Sequence, residues 1–228
     1  MATRREFLAG LAAACATPSF AAASAPRLVS AAKIGARDGG MLWSANGATP
    51  FDLPARGHAP VRLTGNRIVV MSRRPGLFAT MIDADDPAAR AVFAPAGANR
   101  FAGHAALSPD GTSLVTSEFD AVTFAAAVSL RDPDTGAVRA VWSPGGIEPH
   151  ELVYAKGGAR VIAALGGLIK DGGVAGPALN PGGIDSAVVE LDPVSGKVLA
   201  RHKFGAASLS LRHLAVSPDG ETVVVAAG

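Results

Sequence analysis

Four histidines stand at positions 58, 104, 150 and 213, spaced 46, 46 and 63 residues apart. Imidazole is a general base near neutral pH and the commonest metal ligand, so a recurring histidine is where chemistry is sought first. His104, His150 and His213, with Glu118 and Glu151 near, would suit a divalent transition metal such as Cu, Fe or Zn if the fold brought them together. Arg212 beside His213 could hold an anionic group, or pair with a neighbouring Asp turn. Glu151 beside His150 offers a second ligand or the partner of a general base, although neighbours on a regular strand point to opposite faces. The competing reading is structural: each histidine bonds a neighbouring main chain and locks two elements together, above all at His58, whose surroundings repeat least well. His202 lies outside the repeat and reads as surface. Arg73-Arg74 before Pro75-Gly76 reads as a solvated turn or an anion contact.

The elements that must position these side chains are legible in the flanking residues. Gly103-His104-Ala105-Ala106-Leu107-Ser108-Pro109-Asp110-Gly111 recurs as Arg212-His213-Leu214-Ala215-Val216-Ser217-Pro218-Asp219-Gly220. Looser copies begin at Pro149-His150 and Gly57-His58, and an aliphatic run follows every copy. Histidine, apolar run, tight turn and second apolar run predict a β-hairpin, with Asp110 and Asp219 serving the turns. Third strands follow, closing on Asp132-Pro133-Asp134-Thr135-Gly136 and Asp192-Pro193-Val194-Ser195-Gly196, where Asp accepts local backbone bonds and Gly takes positive φ. Fourth strands are predicted over 138–142 and 197–204. This period and strand count describe an all-β chain, a β-propeller of four-stranded blades. The last unit stops at Gly228 after two strands, so about four blades' worth of strands is present. That count predicts a C-terminally truncated propeller domain over 24–228.

Composition bounds the rest. Aromatics are 5% and charged residues 18%, while 27 Gly and 16 Pro fit a turn-rich strand protein. The net charge is only +2, with no basic stripe, which excludes an electrostatic nucleic-acid binder. Residues 1–23 read as a signal peptide: Thr3-Arg4-Arg5-Glu6-Phe7-Leu8 matches a twin-arginine motif, with Leu8 to Ala16 as its apolar run. The expectation is export to the periplasm and cleavage after Ala23, against the alternative of a cytoplasmic chain with an alanine-rich start. Beyond this leader no segment is long and apolar enough to span a bilayer. The only cysteine, Cys15, lies inside it, so disulfides and thiolate ligands are excluded from the mature chain.

Arg73-Arg74-Pro75-Gly76, Gly103-His104, Ser117-Glu118-Phe119-Asp120, Pro149-His150-Glu151-Leu152 and Leu211-Arg212-His213-Leu214 occur in this order. Together they resemble the exported bacterial propeller family catalogued only as domain-of-unknown-function family 1513. The resemblance implies a seven-bladed, quinoprotein-like propeller in the periplasm. Genes of that family tend to sit beside imelysin-type iron-uptake proteins, which implies metal acquisition as a setting. The family's His- and Lys-containing loop is not matched, because Gly166 to Ile184 holds no histidine. The Arg212 to Gly220 repeat is also similar to the YVTN-like propeller lactonases. Three functions are therefore expected in turn: a metal- or small-ligand-binding protein, a lactonase-like hydrolase or metal-dependent oxidoreductase, and an interaction scaffold.

Overall fold

The structure is a computed structural model that describes residues 27–45, 47–169, 179–180, 183–203 and 209–228. The twin-arginine leader and most of the Gly166 to Ile184 loop fall outside the described residues. None of the described helices is long and apolar enough to cross a membrane.

The strands run in five antiparallel sheets, each built from consecutive strands. The first holds β1 (Leu28–Ile34), β2 (Arg37–Ser44) and β3 (Gly47–Asp52). The second holds β4 (Gly57–Arg62), β5 (Arg67–Ser72), β6 (Ala79–Asp83) and β7 (Arg90–Phe93). The third holds β8 (Asn99–Leu107), β9 (Leu114–Asp120), β10 (Ala126–Arg131) and β11 (Val138–Trp142). The fourth holds β12 (Pro149–Ala155), β13 (Arg160–Leu165), β14 (Ala187–Leu191) and β15 (Val198–Lys203), and β16 (Leu211–Val216) pairs with β17 (Val223–Ala227). The second, third and fourth sheets are the predicted four-stranded blades of a β-propeller, the first holds three strands and the last two, and the described sheets do not close into a ring.

Each sheet packs on the next, and the alternation of side chains along a strand explains why the sequence runs are continuously apolar. On β5, Ile68 and Val70 face the first sheet with Leu42, Phe51 and Leu53, while Val69 and Met71 face the third with Phe101 and Leu114. On β13, Val161, Ala163 and Leu165 join the third sheet's core, whereas Ile162 and Ala164 meet Leu211 and Leu214. A strand buried on both faces needs apolar residues at every position, and each large side chain so buried contributes about 1.5–3 kcal/mol.

The Asp turns form as predicted. Asp132 Oδ1 accepts from the N–H groups of Asp134 and Thr135, and Asp192 Oδ1 does the same for Val194 and Ser195. The turn glycines have φ of +73° at Gly136 and +70° at Gly196. They also clear space for the preceding sheet: a Cβ on Gly196 would lie 2.0 Å from the Trp142 ring, and one on Gly136 2.4 Å from the Phe93 ring.

The innermost strands β4, β8, β12 and β16 contact each other in sequence around the inside of the arc. Each inner strand carries an irregularity near its start: pairing lapses between Gly57 and Pro60, Phe101 and Ala105, Pro149 and Leu152, and Leu211 and Leu214. Every one of these gaps contains a repeat histidine. A bulge frees a residue from the ladder and re-aims its side chain, so four bulges turn four imidazoles toward one place.

Candidate functional site

The four rings form a contiguous cluster. His104 is central, with ring centroids 4.9 Å from His58, 4.8 Å from His150 and 5.4 Å from His213. His150 and His213 are 5.0 Å apart. Candidate ligand nitrogens of His104, His150 and His213 lie within 4.8 Å of one another. His58 Nε2 and His104 Nε2 are 3.3 Å apart. That is a hydrogen-bond separation, in which one ring donates and the other accepts.

The Gly-His pair of the third sheet has a geometric reason. Gly103 has φ +105°, and a Cβ there would come within 2.9 Å of His58 Cδ2. Only glycine takes this backbone and lets the neighbouring imidazole lie flush against it.

Glu151 stands in the same bulge as His150 and reaches the cluster, because the lapse in pairing cancels the strict alternation expected of adjacent strand residues. Its Oε2 accepts the main-chain N–H of Leu214 at 2.8 Å and lies 3.2 Å from His213 Nδ1. Its Oε1 is 3.9 Å from His104 Nδ1. A carboxylate accepts, so it places the His213 proton on Nδ1 and leaves the Nε2 lone pair for a ligand.

Burial sets the protonation states. His104 and His150 are 5% and 6% exposed. Desolvation, then His58, His213 and Arg74, pushes the His104 pKa down to about 3. Desolvation, then His104, Arg74 and Arg212, pushes His150 down to about 2. His58 is lowered by burial, then by Arg73, His213, Arg74 and Arg56. These imidazoles are neutral at pH 7, the form that coordinates a metal. No ring nitrogen of the four bonds a main-chain group among the described residues, and His150 Nδ1 is buried without a hydrogen-bond partner.

Neutral burial has a consequence for stability. Above pH 6.5 neither the folded nor the unfolded chain charges these rings. As pH falls below 6.5 the unfolded chain takes up protons that the folded chain refuses, so stability is lost toward acid. His104 and His150 together are expected to cost about 3 kcal/mol between pH 7.5 and pH 5.5. Urea midpoints at the two pH values test this, and His104→Gln/His150→Gln should flatten the difference. An equal acid loss in that variant would show that other groups cause it.

Not every predicted residue reaches the site. Glu118 is fully buried, bonded to Arg131 Nη2 at 2.6 Å, the Ala96 N–H at 2.9 Å, Thr116 Oγ1 at 2.9 Å and Asn99 Nδ2 at 3.3 Å. Arg131 on the adjacent strand claims it, so Glu118 is a structural anion and does not join the histidines. His202 lies on outer strand β15, 2.9 Å from Glu190, as expected of a surface residue.

Arg212 borders the cluster and pairs with Glu148, Nη1 to Oε1 at 3.5 Å, where sequence reasoning favoured an Asp turn. Arg74 is only 11% exposed and binds the same Oε1. Glu148 was not among the predicted site residues. It has φ +54°, a left-handed conformation that costs a non-glycine residue about 1–3 kcal/mol, and its Oε2 accepts the Leu168 N–H at 2.9 Å. Its position at the head of the polar Glu148-Pro149-His150-Glu151 run was the available signal.

Beside His58, inner strands β1 and β4 border a cleft of about 570 Å³ lined by Lys33, Asp38, Arg56, His58 and Arg73 among others. That volume falls within the range of small-ligand sites.

Residues 51–227 match the family described as "Protein of unknown function (DUF1513)". No curated protein matches the sequence. Among solved structures, Kuenenia stuttgartiensis hydrazine synthase is similar with a TM-score of 0.66 at 14% sequence identity, over 82% of this chain and 55% of that one. The chain thus spans about half the length of that protein (55%), and the likeness is one of fold.

Proposed function

Since the chain belongs to the DUF1513 family, whose description names no activity, we propose from the site itself that this protein binds a divalent transition metal. His104, His150 and His213 supply imidazole donors, His58 abuts His104, and Glu151 orients His213. Imidazole sets of this kind suit Cu, Fe or Zn. The observation that carries the reading is that four imidazoles from four consecutive sheets face each other rather than the main chain. A blade-locking role would have turned their nitrogens to backbone groups.

The setting we propose is periplasmic, with export by the twin-arginine route, on the support of Thr3 to Leu8. A place beside imelysin-type iron-uptake proteins rests on the family's gene neighbourhood alone.

The test is direct. The full chain, stripped with chelator, is titrated separately with Zn(II), Cu(II) and Fe(II) by calorimetry, with metal content measured after dialysis. One ion per chain is expected for at least one metal. Retention of none of the three would overturn the proposal.

A further inference from the structure

The surroundings of the histidine cluster carry more positive charge than a bare metal ion tolerates. Arg74 and Arg212 share one carboxylate oxygen of Glu148. Arg56 and Arg73 line the cleft beside His58, and neither guanidinium has a hydrogen-bond partner among the described residues. Lys33 and Asp38 in the same cleft offset each other, 3.7 Å apart. Four guanidiniums therefore face two carboxylates, Glu148 and Glu151. Neutral imidazoles add no negative charge, and a divalent ion adds two more positive ones. Like charges collected in a partly buried space are unfavourable unless an anion joins them.

Resting on the metal reading above, we infer that the cleft beside His58 receives a small multivalent oxyanion, a polycarboxylate or a phosphate, which completes the coordination of the metal. Guanidinium presents its N–H groups in a planar fork that matches the paired oxygens of both classes. Arg56 and Arg73 hold the far oxygens of the anion, Arg74 and Arg212 lie on its metal side, and the near oxygen reaches the ion. The unpartnered His150 Nδ1 marks the adjoining histidine cluster as built for a ligand, since a buried polar atom without a partner is costly in the free protein.

Oxalate and inorganic phosphate are the probes, each titrated into the zinc-loaded and the chelator-stripped full chain. The expected result is binding to the zinc-loaded chain at least tenfold tighter than to the stripped chain, with at least a tenfold loss in Arg56→Gln/Arg73→Gln. Zinc content is measured for each sample, so a damaged histidine site is recognised. A stronger response to oxalate assigns a polycarboxylate, and a stronger response to phosphate assigns a phosphate group. No binding of either anion to zinc-loaded protein, or binding indifferent to the double substitution, would overturn the inference and leave the metal proposal standing. A chain that retains none of the three metals yet binds oxalate through Arg56 and Arg73 would sink the metal proposal and reduce the inference to an anion site without a metal.

Discussion

Replacing His104 by alanine is expected to weaken metal binding at least about 100-fold. Outer-shell substitutions around a metal already cost about 10–100-fold, and His104 is placed as a direct donor. It is also the one ring in contact with the other three, so its loss separates His58 from the pair formed by His150 and His213. His202→Ala is the matched control, because His202 lies on the outer strand β15 beside Glu190. Calorimetric titration of both variants with the preferred metal gives the comparison. Unchanged affinity in His104→Ala would refute the assignment of the cluster. His104→Gln, which keeps volume and polarity, guards against confusing lost donors with a collapsed interior.

The second large effect concerns stability. Glu118→Ala should destabilise the protein by about 3–5 kcal/mol, because removing one member of a buried ion pair strands the other. Arg131 is 1% exposed and would lose its carboxylate while still held between the Phe93 and Phe101 rings, 5.0 and 5.2 Å from its guanidinium carbon. Its remaining bonds, to Thr116 Oγ1 at 3.0 Å and the Gly136 carbonyl at 2.7 Å, do not neutralise the charge. Urea unfolding reads the loss directly, and a change below about 1 kcal/mol would contradict this account. Glu118→Leu/Arg131→Met should recover most of the stability, since an apolar pair of similar size often replaces a buried ion pair without penalty. Metal content of the folded fraction should not change, which separates Glu118 from the histidine site.

The blades were readable in the sequence because second strands such as β5 and β13 are buried on both faces. Val69 to Met71 and Val161 to Leu165 cannot carry polar residues there, so the apolar runs mark them. Outer strands were harder. In β7, Arg90 to Val92 are exposed and supply no pattern, and β3 contains Pro50, which sequence rules discourage within a strand. Pro50 is tolerated because β3 lies at the edge of its sheet.

The histidine repeat pointed to a ring, yet it undervalued His58. That segment repeats poorly as sequence, but its pairing lapses at the histidine as it does in the other three. Local pairing lapses are not encoded by residue type alone, so neither the convergence of the rings nor the access of Glu151 could be read from the chain. Glu118 misled for the opposite reason. A carboxylate next to a candidate site looks like a ligand until the cation opposite it, here Arg131, is known.

Away from the histidine cluster the sheets pack mainly on their neighbours, a modular construction in which one blade can loosen with little effect on a distant one. A single ion gripped by His104, His150 and His213 would change that. It would act as a clasp across segments far apart in the chain, tying three modules into one cooperative unit, so that the bound cargo also decides how the scaffold breathes.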